Sequence, residues 1–309
     1  MNILIYSNCA GDVITSMFEN HPLTKDKYKI SFFHNYENLH KNNLEHEHKK
    51  LLNECDIFIY QPMNKNYDYS EYDIGSIQKY LKNECKILRV NYYRTRAFWY
   101  NSTYIPYNRY GNYSFHTNYG IHNDFINLKN KNDKKEIVEF INNIQIDKEE
   151  IINFFDNEVE KFKILDEKSD VKMYNFFKLN YNNNLLFFDP FHPTNIFFYE
   201  IFRQLIKLIL NYELPEKDLD FLNEPKMKDV EMTNWTLPIL PLIKTVLKLN
   251  YEDIIPCFHK QTHPKRLYMN TYDNYYIRLS PNNFKNYLDE LERLDVQMNT
   301  TSIQRFQMN

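Results

Sequence analysis

The sequence predicts an α/β fold with a mostly parallel central sheet. Three observations carry that prediction. Short apolar runs recur at Asn2–Tyr6 (NILIY), Tyr28–Phe33 (YKISFF), Asp56–Tyr60 (DIFIY) and Cys85–Val90 (CKILRV). Segments of helical periodicity lie between them, which reads as successive βαβ units and hence parallel strands. No apolar run reaches the roughly 18 residues that a membrane span needs, so none is expected.

Composition narrows the class. At 309 residues, with 43% hydrophobic and 26% charged side chains, the chain can fold as one large domain or two small ones. Its net charge of −3 comes without a strongly basic block, so the electrostatic footprint of nucleic-acid binding is missing. Cys9, Cys55, Cys85 and Cys257 are scattered with no C-x-x-C pair, against both a zinc ribbon and a disulfide framework. The first residues enter a strand directly, without a basic segment and cleavage site, and the expectation is a cytoplasmic protein.

The elements follow in order. After Asn2–Tyr6, the turn Ser7-Asn8-Cys9-Ala10-Gly11-Asp12 leads into a helix carrying Val13, Met17 and Phe18 that ends near His21-Pro22. The partial positive charge of a helix N-terminus favours a thiolate, and Asn8 with the backbone N–H groups after Cys9 can donate to an oxyanion. The same position suits a small core thiol, and both readings stand. A charged helix over residues 43–52 precedes Asp56–Tyr60. That strand ends on Gln61-Pro62, where the Gln61 amide either faces the same cleft or only makes a turn. A helix at 74–81 precedes the fourth strand. No G-x-G-x-x-G follows any strand, against a dinucleotide-binding domain.

Residues 91–125 are irregular and dense in aromatics, with Arg94, Arg96, Arg109, His116 and His122. Arginines there either clamp phosphates or lie solvated on a packed loop. Helices are expected at 134–143 and 148–165, while 170–179 fits helix or strand. Leu185–Phe188 is a short apolar run that predicts a buried strand. The turn Asp189-Pro190-Phe191-His192-Pro193-Thr194-Asn195 follows, then a helix to about Leu210 with Thr194 or Asn195 as its cap. A carboxylate three residues before an imidazole can hold it in one tautomer, as a general base requires. Taken alone, D-x-x-H is a weak signal, and Asp189 as a helix cap with His192 as a surface residue is the stronger reading. Beyond a polar break at 211–228, helices are expected at 242–249 and 284–294 and a strand at 275–279. His259 and His263 make H-x-x-x-H, but Pro264 and the missing glutamate of H-E-x-x-H argue against zinc, and no metal is expected.

Cys9 after the first strand, Gln61 after the third and Asp189 with His192 after the last would converge at the C-terminal edge of a parallel sheet, where ligands bind. A nucleophile after strand one and a D-x-x-H before the final helix resemble the layout of the SGNH hydrolase superfamily. The cysteine in SNCAGD, the strand end DIFIYQP and HPTN at the last helix more closely resemble the WcbI family of polysaccharide-biosynthesis proteins. That resemblance covers residues 1 to about 212. It implies an SGNH-like, flavodoxin-like three-layer domain over 1–212; residues 213–309 read from their own pattern as a mainly helical extension packed on it. It also implies acetyl-CoA as acetyl donor, and a sugar or nucleotide-linked (amino) sugar as acceptor in glycan or polysaccharide biosynthesis. Arg94, Arg96 and Arg109 would hold the coenzyme's phosphates, Asn8 and Gln61 would orient substrate, and Cys9, His192 and Asp189 would be catalytic. A thiol esterase or deacetylase on acetylated sugars and a non-catalytic glycan-assembly module are the alternatives. A homo-oligomer or fusion to another glycan-processing domain is compatible with either.

Overall fold

A computed structural model describes residues 1–35, 44–62, 74–100, 102–104, 119–122, 145–229 and 239–251. The elements expected at 134–143, 275–279 and 284–294, together with Arg109, His116, Cys257, His259 and His263, lie outside the described residues. The chain divides into two compact units: Met1–Tyr93, Glu160–Leu179 and Thr194–Glu231 form one, and Arg94–Val159, Asn180–Pro193 and Met232–Asn309 the other.

The first unit is built on four strands, β1 (Asn2–Ser7), β2 (Lys29–His34), β3 (Ile57–Tyr60) and β4 (Lys86–Arg89). All neighbours pair in parallel, in the order β2-β1-β3-β4. This is the doubly wound order of flavodoxin-like sheets, in which the chain leaves β2, crosses β1 and re-enters the sheet beyond it. The crossovers run through α1 (Ala10–Asn20), α2 (His46–Glu54) and α3 (Ile74–Ile77), the last continued by a 3₁₀ turn at Gln78–Tyr80. Ile3, Leu4, Ile5 and Tyr6 are all buried, as a strand covered on both faces must be. α1 lies tight on the sheet: a Cβ on Gly11 would fall 2.3 Å from the Phe32 ring and 2.9 Å from Ser7 Cβ.

Leu185–Phe188 is buried, as expected, but it is not a strand of this sheet. Phe187 makes only an isolated antiparallel bridge with Pro193. Two local facts account for the difference. The run folds back on its own turn, where the Phe188 N–H donates to the His192 carbonyl at 2.8 Å. The end of β4 already has partners, because the Arg89 N–H donates to Asp170 Oδ2 (2.6 Å) and the Asp170 N–H to the Arg89 carbonyl (2.9 Å). A strand edge supplied in this way does not need a further strand.

Helix α4 (Lys148–Glu167) leads to α5 (Tyr174–Asn180), which settles the ambiguous segment. Asp166 selects the helix by accepting from the backbone N–H groups of Met173 (2.9 Å) and Tyr174 (2.8 Å) at its start. α6 (Asn195–Leu210) has Thr194 at its N-cap, without a side-chain cap bond, and ends on Asn211 in the left-handed region at φ 51°. It buries Phe197, Phe198, Ile201, Phe202 and Leu205, and Phe18 of α1 meets Phe202 edge-on at 5.0 Å. Short helices α7 (Leu219–Leu222) and α8 (Pro225–Asp229) complete this unit, with Asn195 Nδ2 donating to the Met227 carbonyl at 2.8 Å.

In the second unit the region expected to be irregular contains two strands, β5 (Ser102–Tyr104) and β6 (Tyr119–His122), paired antiparallel. Thr and Tyr suit such a pleated pair. Phe98, Phe155 and Tyr181 form an aromatic cluster here, and α9 (Pro241–Leu247) buries Ile243 and Leu247.

Two predictions follow from this packing. Gly11→Ala should lower unfolding stability by about 1–3 kcal/mol, as overpacking does, and Phe32→Leu in the same chain should recover part of it. Urea titration reads both. His21, buried after α1, accepts from the Leu23 N–H through Nδ1, and burial holds its pKa below the ordinary value against the opposing pull of Asp218 and Glu224. A lowered folded-state pKa means the unfolded chain takes up the proton first. The contribution of His21 is therefore present above about pH 6.5 and lost as the pH falls below it. Melting temperatures at pH 7.5 and 5.5 should differ more for the parent chain than for His21→Gln.

Candidate active site

The order β2-β1-β3 makes the gap between the C-terminal ends of β1 and β3 a topological switch point, where crevices open in such sheets. Three residues predicted from the sequence stand there. Gln61 follows β3, its backbone N–H donating to the Tyr6 carbonyl of β1 at 2.8 Å. Its side-chain Oε1 accepts from Ser7 Oγ at 2.7 Å and from the Asn8 N–H at 3.4 Å. With the oxygen so engaged, the Gln61 amino group is the donor end that remains for a ligand. Asn8 Oδ1 accepts from the Ala10 N–H at 3.0 Å, and the Gly11 N–H donates to the Asn8 carbonyl at 2.8 Å. These bonds close a tight turn in which Cys9, partly exposed and already helical (φ −53°, ψ −20°), occupies the N-cap of α1 with no side-chain cap bond. The thiol thus sits at a helix start without capping it.

Polar groups that the sequence reading missed share this edge. Ser7 fixes the Gln61 amide. His34, at the end of β2 opposite Ser7, lies with Nε2 3.1 Å from Asp12 Oδ2. The available signals were a histidine ending the strand next to β1 and an aspartate three residues after Cys9, one helical turn along.

In the second unit, Asp189 and His192 form one compact turn. Asp189 Oδ1 accepts from the backbone N–H groups of Phe191 (2.6 Å) and His192 (2.8 Å), and Oδ2 lies 2.7 Å from His192 Nδ1. The carboxylate is 1% exposed and the imidazole 14%. A carboxylate accepts only, so Nδ1 carries the proton in this bond and Nε2 is the basic nitrogen. Asp189 therefore does not cap the helix after it; it closes the turn and orients the imidazole. The backbone also ties this turn to Thr95, whose N–H donates to the Pro190 carbonyl at 2.9 Å.

Arg94 is exposed. Arg96 is bound through its backbone N–H to Glu158 Oε2 (3.0 Å), through Nη2 to Glu158 Oε1 (3.3 Å), and lies over the Phe154 ring. The structure thus brings Asn8, Cys9 and Gln61 together in one unit and Asp189 with His192 in the other.

A thiol beside a switch point, in a doubly wound parallel sheet, defines the class as an α/β protein of the flavodoxin-like kind. Residues 2–210 match the sequence model of the family described as the polysaccharide biosynthesis enzyme WcbI, and the chain belongs to that family. A comparison with the curated proteins finds no match. Among solved structures, the chain is similar to WcbI, called there a novel polysaccharide biosynthesis enzyme, in a native form without a disulfide bond between coenzyme A and one of its cysteines. Identity is 15%, the TM-score 0.65, and the match covers 96% of this chain and 90% of that one. Among the described residues, no helix is long and apolar enough to cross a membrane.

Asp189→Ala leaves the backbone N–H groups of Phe191 and His192 without their acceptor and should destabilise the fold by about 1–3 kcal/mol. Asp189→Asn, which keeps an acceptor oxygen, should cost clearly less. Thermal unfolding of the two variants checks the ordering.

Proposed function

We propose that this protein transfers an acetyl group from acetyl-CoA to a sugar, a nucleotide-linked amino sugar being one acceptor class, during polysaccharide biosynthesis. The observation that carries the reading is the Asp189–His192 pair, a buried carboxylate 2.7 Å from Nδ1 that fixes the proton there and so makes Nε2 the basic nitrogen. Membership of a polysaccharide-biosynthesis family supports the sugar. The similar WcbI structure, a form without a disulfide bond between coenzyme A and a cysteine, supports taking coenzyme A as the carrier of the acetyl group.

In this reading His192 Nε2 takes the Cys9 thiol proton as the sulfur attacks the thioester carbonyl of acetyl-CoA, and passes that proton to the departing coenzyme A sulfur. The tetrahedral oxyanion accepts from the Gln61 amino group and from Asn8, and coenzyme A leaves as the thiol. His192 Nε2 then removes a proton from the acceptor hydroxyl or amine as it attacks S-acetyl-Cys9, and returns that proton to the departing Cys9 sulfur. Asp189 holds the imidazole in the required tautomer and stabilises its cationic form. A thioester replaces a thioester, so the first step is nearly balanced in energy. Arg94, Arg96 and Arg109 supply positive charge for the coenzyme's phosphates. The observation behind that assignment is the exposure of Arg94 and Arg96. Residues 1–212 carry the chemistry, and 213–309 serve as an extension.

Incubation with acetyl-CoA followed by intact-mass and peptide analysis should show one acetyl group on Cys9. A nucleotide-sugar screen should then yield an acetylated product. His192→Ala should reduce transfer by about 10²–10⁴-fold, the usual contribution of a positioned acid–base group, and Cys9→Ala should abolish it. Transfer that survives Cys9→Ala would replace the covalent route by direct attack on acetyl-CoA. Acetate release from acetylated sugars without coenzyme A, with no transfer, would overturn the reading in favour of an esterase.

A further inference from the structure

We infer that Cys55 and Cys85 form a dithiol that hydroperoxides oxidise to a disulfide across the N-terminal ends of β3 and β4. The site is separate from Cys9: it lies where these strands begin, whereas Gln61 and the Cys9 turn follow the strand ends. Cys55 caps the C-terminus of α2, its N–H donating to the Leu51 carbonyl at 3.1 Å, and Cys85 immediately precedes β4. Their sulfurs lie 3.6 Å apart.

Strand pairing makes that approach a property of the fold. Ile57 of β3 faces Lys86 of β4, so the same register sets Cys85 beside Asp56 and one residue along from Cys55. Neighbouring strands run about 4.7–4.9 Å apart and rise about 3.3 Å per residue, so this diagonal is about 6 Å, within the roughly 4.4–6.8 Å between Cα atoms that a disulfide spans. Closing to the bond length of about 2.05 Å needs only a small movement of two side chains. The two thiols also differ in access. Cys55 is 1% exposed and donates to the Leu52 carbonyl at 3.2 Å, while Cys85 is partly exposed. Burial pushes both thiols up from their ordinary range, and Lys82, held 2.5 Å from Asp56 Oδ1, supplies positive charge that offsets part of that.

The chemistry is the first rung of thiol oxidation, completed by a resolving thiol. The Cys85 thiolate attacks the peroxide oxygen and the O–O bond breaks. Cys85 becomes a sulfenic acid and one water leaves. The Cys55 sulfur then attacks the sulfenic sulfur, the S–O bond breaks, the S–S bond forms, and a second water leaves. The two thiols lose two electrons and two protons, and hydrogen peroxide is reduced to two waters. The resulting bond ties the end of α2 to the start of β4 and closes a loop containing β3, which restricts the unfolded chain.

The full chain is treated with hydrogen peroxide, alkylated with iodoacetamide and digested without reductant. The expected product is a Cys55–Cys85 cross-linked peptide pair lighter by two hydrogens, reversed by dithiothreitol, in a protein whose melting temperature has risen. Cys55→Ser should instead leave Cys85 as a sulfenic acid that dimedone captures. Cys85→Ser should leave Cys55 reduced at the same peroxide dose. A parent chain in which peroxide modifies Cys9 while Cys55 and Cys85 stay alkylatable would overturn the inference. So would dimedone capture of Cys85 in the presence of an intact Cys55.

Discussion

The parallel pairing of β1 with β2 on one side and β3 on the other is the constraint on which the rest depends. Because the chain crosses β1 between its second and third strands, helices depart in opposite senses from the ends of β1 and β3. Ser7 and Gln61 bridge the gap so created with a 2.7 Å hydrogen bond. That bond orients the Gln61 amide, and the Asn8 turn beside it sets Cys9 at the start of α1. β1 itself is buried on both faces, which fixes the strand from which this edge is built. Gly11 belongs to the same constraint, since a Cβ there would collide with the Phe32 ring and Ser7 Cβ, and something in this contact would have to shift.

The second polar centre is rigid for a different reason. Asp189 satisfies two backbone donors with one oxygen and the imidazole with the other, so turn geometry and histidine orientation are a single event. Burial raises the cost of leaving any of those donors unpaired, which turns a flexible Pro-rich loop into a defined one. The partly exposed His192 is thereby presented on a turn, not on a strand end.

Much of this was legible in the sequence, and particular residues show why. The four apolar runs were read to within a residue or two because buried parallel strands advertise themselves by continuous hydrophobicity. The Asp189–His192 contact was legible because spacing three on one turn leaves little freedom. Leu185–Phe188 misled because an apolar run signals burial more surely than it signals strand pairing. What decided its fate was the Ser169–Asp170 segment bonded to Arg89, a contact across about eighty positions that periodicity does not report. The His34–Asp12 pair and the Cys55–Cys85 approach were hidden for the same reason. Each needs the strand order, and strand order is a property of the whole sheet. The two bonds from Arg96 to the buried Glu158 were not legible, because they depend on packing between α4 and the segment after β4.

The account rests on the thiol of Cys9 and the imidazole of His192 meeting one substrate. Cross-linking with dibromoacetone, a short reagent that joins a thiol to an imidazole only when both line one cavity, measures this directly. The account predicts a single cross-linked peptide pair containing Cys9 and His192, lost in either Ala variant and suppressed by coenzyme A. Alkylation of Cys9 by one arm alone, with His192 unmodified and the second arm hydrolysed, would contradict it.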